Sequence, residues 1–112
     1  MTKPILLCAA LWAAATTAQA AAPAFSTVQP LLSANSCLAC HSVDQKVVGP
    51  AYKDVAAKYK GRADAVAYLT GKIKGGSAKV WGDVMVMPPN TGVSDADIKT
   101  IAEWLAAGAS MK

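Results

Sequence analysis

The sequence lacks several patterns that mark common protein classes. No apolar run reaches the roughly 20 residues that a membrane-spanning helix needs. The formal net charge of +4 is mild, and no Lys/Arg run carries interleaved aromatic residues, which argues against nucleic-acid binding. No internal repeat is present, and no segment alternates apolar and polar residues as a half-buried strand does. These absences favour a single small all-α domain.

The N-terminal segment is the exception to this picture. Lys3 precedes an apolar run over residues 5–15, and Ala18-Gln19-Ala20 has the small-x-small pattern of a cleavage site. The run is too short for a membrane anchor. We therefore predict a cleaved signal peptide over residues 1–20, a mature domain over residues 21–112, and a periplasmic location.

Apolar residues at helical spacing predict four short helices. They lie around Val28 to Leu32, over Lys53–Tyr59, over Asp64–Lys74, and from Ser94 to Gly108. Ser26 or Thr27 is expected near the first cap with Pro30 in the first turn, and Asp64 and Ser94 are expected to cap later helices. Residues 77–92 hold Pro88-Pro89 and predict an irregular loop, and a loop of that length in a small domain implies a function.

Cys37, Cys40 and His41 form a Cys-x-x-Cys-His run that contains the only histidine. A redox dithiol normally opens a helix in a βαβ unit, and a structural zinc site needs four ligands; the chain predicts neither setting. A local disulfide beside a surface histidine is a third interpretation. We favour covalent haem, because two cysteines on one turn can bond its vinyl groups while the histidine binds iron. A buried haem also supplies apolar core to a short chain.

The second axial position on the iron needs another side chain, since no second histidine exists. The methionine candidates are Met85, Met87 and Met111; a lysine or an open site are the alternatives. Met87 is favoured because Pro88-Pro89 would stiffen the backbone after it and Asn90 could donate a hydrogen bond to its sulfur. A thioether ligand favours ferrous iron and raises the reduction potential.

These residues resemble those of the short bacterial class I cytochromes c, over nearly the whole predicted mature chain. The matching segments are Cys37-Leu38-Ala39-Cys40-His41, Val48 to Ala56, Ile73-Lys74, Val80-Trp81-Gly82, Met87-Pro88-Pro89-Asn90, and Val93-Ser94-Asp95 with Trp104. The resemblance implies an all-α class I cytochrome c fold, about four short helices around one covalently attached haem c with its iron. It also implies a one-electron carrier rather than an enzyme.

The resemblance implies roles for five residues. Met87 matches the distal ligand, and Pro50 matches the proline whose carbonyl accepts a hydrogen bond from the haem histidine. Trp81 matches a tryptophan that donates to a haem propionate, and Asn90 matches the residue near the ligand sulfur, whereas Trp104 matches a helix-contact position. The implied partners are a cytochrome bc1-type donor and a nitrite reductase, terminal oxidase or peroxidase as acceptor, met by a monomer with no stable membrane insertion.

The sequence departs from the family pattern in three places. Asp83 to Val86 is one residue longer than the common form and lacks its proline, Thr91-Gly92 is also one residue longer, and Ser36 stands where glycine is frequent. The first departure places Met85 two residues before Met87, so that the loop offers two sulfurs. An open or labile distal site would instead make the protein a haem sensor. A small peroxidase is the last alternative, and no distal His/Arg pair supports it.

Overall fold

A computed structural model describes residues 9–10 and 21–112 as a helical domain. The helices are α1 (Phe25–Ala34), a 3₁₀ turn (Cys37–Ala39), α2 (Tyr52–Lys58), α3 (Ala65–Gly75) and α4 (Asp95–Ala106), and the strands are β1 (Ser77–Ala78) and β2 (Val86–Met87). Among the described residues no helix is long and apolar enough to cross a bilayer. The predicted signal peptide, residues 1–20, lies outside the described residues apart from positions 9 and 10.

The core lies where α1, α2 and α3 pack against α4. Trp104 is its centre, being 1% exposed, with ring centroids 5.7 Å from Phe25 and 5.5 Å from Tyr52. The indole N–H of Trp104 donates to the carbonyl of Ser110 at 2.8 Å, so the one polar atom of this side chain is satisfied. This confirms the structural role expected for Trp104. The other large side chains that are fully buried are Leu32, Ile98 and Val28.

Helix α1 begins earlier than predicted. It starts at Phe25 after Ala24 and has no side-chain cap, so the expectation of a cap at Ser26 or Thr27 is wrong. Pro30 consequently lies inside the helix rather than in its first turn. The reason is tertiary: extending the helix by a turn brings the Phe25 ring onto Trp104, a contact that local cap patterns do not reveal.

Helix α4 agrees with its prediction at both ends. The hydroxyl of Ser94 accepts a hydrogen bond from the backbone N–H of Asp97 at 3.1 Å, as an N-cap does. Past the last turn, Gly108 has φ of 116°, and Ala109 donates its N–H to the carbonyl of Trp104 at 3.0 Å. The chain therefore turns sharply at the predicted position and brings the Ser110 carbonyl to the indole N–H of Trp104.

Helices α2 and α3 lie within one residue of their predicted bounds. Asp64 precedes α3, but its carboxylate makes no cap hydrogen bond and pairs instead with Arg62, so its predicted capping role is wrong. The guanidinium of Arg62 also lowers the pKa of Asp64, because it stabilises the charged carboxylate. The Asp64 carboxylate therefore binds the guanidinium of Arg62 in place of the backbone N–H groups at the start of α3.

The sequence does not predict the β1–β2 hairpin. Ser77 pairs with Met87 and Ala78 with Val86 in antiparallel register. Strands of two residues are too short to show the alternation from which strands are identified. The pairing nevertheless matters, because it fixes part of the loop that carries the methionines against the end of α3.

Replacing Leu32 with alanine should lower the free energy of unfolding by about 2–5 kcal/mol, since its side chain is fully buried against α4. Val84→Ala is the matched control: Val84 is 95% exposed, and its truncation should change stability by less than about 0.5 kcal/mol. Denaturant unfolding of the intact protein measures both. Equal stabilities of the two variants would contradict this description of the core.

Candidate functional site

The Cys-x-x-Cys-His run is folded as one tight turn. Ser36, just before it, has φ of 59°, a left-handed conformation that explains why glycine suits this position. Cys37 then opens the 3₁₀ turn, and His41 donates its backbone N–H to the carbonyl of Cys37 at 3.0 Å. Cys37 and Cys40 are not joined in a disulfide. The turn thus presents two thiols and an imidazole from five consecutive residues.

Burial raises the pKa of the Cys37 thiol. Catalytic redox dithiols need the opposite, a lowered pKa that holds one sulfur as the reactive thiolate. The environment of Cys37 therefore argues against a catalytic redox dithiol.

The His41 ring is held from two sides. Its Nδ1 lies 2.7 Å from the carbonyl oxygen of Pro50, and because a carbonyl only accepts, Nδ1 carries the proton. Nε2 is then left with its lone pair available to a metal. The ring also stacks on Tyr52, with centroids 4.9 Å apart. A Cβ at Gly49 would lie 2.5 Å from Cε1 of His41, so only glycine fits beside the ring.

An apolar cleft with a cavity of about 110 Å³ opens beside this imidazole. Of the predicted site residues, Cys40, His41, Pro50, Trp81 and Met87 line it, whereas Cys37 and Asn90 do not. The remaining lining residues are Val48, Gly49, Tyr52, Val55, Tyr59, Leu69, Lys72, Ile73, Ser77, Met85, Val86, Pro88 and Leu105.

The methionine segment brings both of its methionines to the cleft. Met85 and Met87 are partly buried and line it, whereas Val84 is 95% exposed and Val86, which also contributes to the lining, is 64% exposed. Asp83 and Val84 form a turn, and the extended backbone begins at Val86. The structure therefore offers two thioethers to one cleft.

Met87 is braced by the end of α3. Its backbone pairs with Ser77, and a Cβ on Gly76 would lie 2.7 Å from the Met87 carbonyl oxygen. Gly76 has φ of 82°, so both its backbone conformation and this close approach require glycine. The protein's own contacts therefore fix the backbone around Met87.

Asn90 also contacts the end of α3, and its side-chain amide makes hydrogen bonds other than the one expected to the Met87 sulfur. Its side-chain nitrogen donates to the carbonyl of Ile73 at 2.9 Å and approaches that of Pro88 at 3.4 Å, and its backbone N–H donates to Lys74 at 3.2 Å. In the described part of the chain, its amide hydrogen bonds thus go to backbone carbonyls rather than to the sulfur of Met87. Asn90 ties the methionine loop to the last turn of α3.

Trp81 lies at the cleft with a cation on its ring face. Nζ of Lys58 is 5.0 Å from the ring centroid, a cation–π distance. Within residues 21–112, no protein acceptor for the Trp81 indole N–H is found, unlike that of Trp104. A donor and an ammonium group therefore stand together where an acidic group of a ligand could bind.

Several residues that the sequence does not predict as site residues also line the cleft, among them Tyr52, Tyr59 and Lys72. Lys72 could have been found, since it lies three residues after Leu69 and so shares the apolar face of α3. Burial, together with its hydrogen bond to Tyr68, raises the pKa of Tyr59 to about 12, and burial also raises the pKa of Tyr52. Both phenols are therefore neutral near pH 7, and the cleft gains no negative charge from them.

A comparison with protein families matches residues 26–109 to the family described as Cytochrome c. The chain belongs to the cytochrome c family. Cytochrome c-552 of Nitrosomonas europaea is 62% identical over 71 residues, which cover 63% of this chain and 68% of that protein. Cytochrome c-551 of Pseudomonas denitrificans is 54% identical over 80 residues, covering 71% of this chain and 95% of that protein.

Solved structures agree with the sequence relatives. The crystal structure of Nitrosomonas europaea cytochrome c552 matches with a TM-score of 0.68 and 56% identity, over 71% of this chain and 98% of that one. A class 1 cytochrome of Sideroxydans lithotrophicus, MtoD, matches with a TM-score of 0.62 and 32% identity, over 76% of this chain and 96% of that one. The predicted all-α class I cytochrome c fold is confirmed, and the chain is a small haem c electron carrier.

The cleft fits the haem c that membership of this family implies. A porphyrin needs an apolar slot, and this slot is lined mainly by aliphatic, aromatic and thioether side chains. The Cys-x-x-Cys-His turn lies at its edge, with an imidazole nitrogen free for iron. The acidic side chains of a haem would find Trp81, Lys58 and Lys72 in reach of the same cleft.

Gly49→Ala should destabilise the haem-loaded protein by about 1–3 kcal/mol, because its Cβ would overlap the His41 ring. The matched control is Gly71→Ala, an exposed position inside α3 where a Cβ meets nothing within 4 Å. This change should instead stabilise the protein, by about 0.4–1 kcal/mol. Denaturant midpoints of the two variants measure the difference, and effects of the same sign would refute the packing described for His41.

Proposed function

We propose that this cytochrome is a periplasmic carrier of single electrons, with haem c bound through Cys37 and Cys40 and its iron held by His41 and Met87. When bound, the haem supplies reversible one-electron oxidation and reduction of iron. The observation that carries the proposal is that one apolar cleft collects His41, with Nε2 unprotonated, and a thioether braced by α3. His41 and Met87 would together hold the iron, so that the haem would supply electron exchange without a substrate binding the metal.

His41 and its neighbours keep the imidazole in one orientation. The Pro50 carbonyl holds the proton on Nδ1, while Gly49 and Tyr52 restrict rotation of the ring. Such second-sphere contacts fix the tautomer and increase the basicity of the metal-binding nitrogen. A ligand that does not reorient between oxidation states lowers the cost of electron transfer.

Met87 serves as the soft ligand in this proposal. Its backbone is fixed by pairing with Ser77 and by the close packing of Gly76, while Asn90 anchors the loop three residues later. A thioether stabilises ferrous iron and raises the reduction potential. The role of Asn90 is therefore to position the loop, through Ile73, rather than to bond the sulfur.

Trp81 and Lys58 are proposed to bind a haem propionate. The indole N–H supplies a hydrogen bond, and the ammonium group above the ring supplies opposite charge. Lys72 lines the same cleft and adds a second cation. Neutralising a carboxylate in this way keeps acidic groups of the cofactor from destabilising the buried site.

An exposed apolar patch next to the cleft is proposed as the surface for electron exchange. Leu38, Val47, Val48 and Val84 are 41%, 52%, 61% and 95% exposed, and Pro88, also in the patch, is exposed. Lys46 adjoins it, since its backbone bridges to that of His41. Apolar contact with a charged margin suits brief encounters between redox proteins.

The partners and the location rest on the sequence and the family resemblance. Residues 1–20 have the features of a signal peptide, which supports export to the periplasm and places the carrier in a respiratory chain. There it would act as a monomer between a cytochrome bc1-type donor and a nitrite reductase, terminal oxidase or peroxidase. It does no bond chemistry and is not itself an enzyme.

A haem sensor is the alternative that one observation favours, namely the longer segment that precedes Met87. Under our proposal the ferric protein shows the weak far-red charge-transfer band of an iron–thioether bond, and the ferrous protein does not bind carbon monoxide on mixing at neutral pH. Absorption spectroscopy and stopped-flow mixing measure the two. Rapid binding of carbon monoxide by a protein without the band would establish an open site and overturn the proposal.

Docking at the patch can be tested with small oxidants of opposite charge. Oxidation of the ferrous protein by anionic ferricyanide should slow as ionic strength rises from about 0.01 to about 0.15 M, where the Debye length falls from about 30 to about 8 Å. Lys46→Glu should slow this reaction and speed oxidation by cationic cobalt tris-phenanthroline. Stopped-flow absorbance gives both rates.

The control for charge alone is Lys99→Glu, on the groove between α3 and α4 rather than on the cleft. It changes the net charge equally and should affect the rates less than Lys46→Glu. Equal effects of both variants would show that net charge, and not the patch, guides the oxidants.

A further inference from the structure

Two methionines, Met85 and Met87, line the cleft, whereas one axial position on the iron binds only one thioether. Met85 lines it together with Met87 and His41, and its flanking residue Val84 is almost fully exposed. Met85 is instead partly buried and lines the cleft, although it directly follows the exposed turn at Asp83 and Val84.

We propose that Met85 is an alternative ligand of the haem iron in this chain, which binds in place of Met87 whenever Met87 leaves. The inference deepens the proposed function and rests on it, since it presupposes His41 and a thioether as the ligands. In the exchange, the iron–sulfur bond to Met87 breaks and one to Met85 forms, with no change in electron count and no proton transferred.

The two methionines differ in how firmly their backbones are held. Met87 is paired with Ser77 and packed on Gly76, whereas Met85 lies before β2, and its backbone N–H makes one long hydrogen bond, 3.4 Å, to Gly82. Met87 is therefore the preorganised ligand. Met85 belongs to a segment that can move at small cost, because few of its backbone contacts would be lost.

The distance between the two positions suits an exchange. Residues two apart in sequence are separated by about 6.6 Å at most, the value of a fully extended chain. Once the Ser77–Met87 pair opens, the Met87 sulfur can leave, and the three rotatable bonds of the Met85 side chain let its sulfur cover the distance.

A second thioether would change how the iron is ligated when the methionine loop opens. With one methionine, dissociation of that ligand leaves the metal open to small molecules. With two, the opened state is recaptured by a thioether of the same chemistry, and the redox character of the site is preserved. The longer segment between Gly82 and Met87 then supports an electron carrier rather than a sensor.

The test uses the haem-loaded full chain and four forms: wild type, Met85→Leu, Met87→Leu and the double variant. The readouts are the far-red thioether band of the ferric protein and, in the ferrous protein, the ring-current-shifted resonance of a methyl-labelled methionine. We expect the band in wild type and in both single variants and its loss in the double variant. Met111→Leu, which is exposed and does not line the cleft, is the control.

The outcomes separate the two proposals. A band in wild type that is lost in Met87→Leu, including its replacement by a nitrogen-ligated spectrum from Lys72, overturns the inference about Met85 and leaves the proposed function intact. Absence of the band from wild type overturns the proposed ligation itself. Retention of the band in Met87→Leu, with the labelled resonance assigned to Met85, establishes the second ligand.

A second measurement decides the matter if Met87→Leu does not fold with haem. Cyanide captures ferric iron only while the methionine position is open, so its binding rate reports on how often the position is vacant. Removing one of two competing sulfurs in Met85→Leu should raise that rate, by at most about twofold, the limit that two equal competitors would reach. An unchanged rate, with Met111→Leu also unchanged, overturns the inference.

Discussion

The contact between Nδ1 of His41 and the Pro50 carbonyl is the constraint on which the site depends. It determines the tautomer of the ring and so leaves the other nitrogen unprotonated. It also joins two segments nine residues apart, the Cys-x-x-Cys-His turn and the approach to α2. Gly49 allows this contact because any side chain there would meet the ring. The wall of the cleft that carries the histidine is thus built by local chain geometry.

The methionine wall is built in another way, from distant parts of the chain. The loop that carries Met87 is held through backbone contacts of Gly76 and Ser77, and through the Asn90 side chain, whose amide donates to the Ile73 carbonyl. Backbone contacts depend little on side-chain identity, which lets the exposed residues of the loop vary. Leu69 and Leu105 line the cleft and also belong to the buried core, so the cleft is continuous with the helical core.

Prediction from sequence succeeded where a local pattern determines the structure. The cap at Ser94, the turn at Gly108 and the apolar stripe of α4 are all encoded within a few neighbouring residues. Prediction failed where a contact outside the local pattern determines the structure. The start of α1 follows from the Phe25–Trp104 contact, and Asp64 pairs with Arg62 instead of capping α3. The cleft residues fall between these cases. His41, Pro50, Trp81 and Met87 came from motif and resemblance, whereas the carbonyl partners of Asn90 required the fold.

The brace between α3 and the methionine loop has a consequence for the energy landscape of the protein. The loop shares its hydrogen bonds with the last turn of one helix, Ile73 to Gly76, and with no part of the α1–α4 core. Amide exchange from this segment should therefore follow a partial opening that leaves the core protected, a cooperative unit of its own. Under the proposed ligation, that opening would also release the Met87 sulfur from iron. The kinetic stability of the redox site is thus separable from the global stability of the fold.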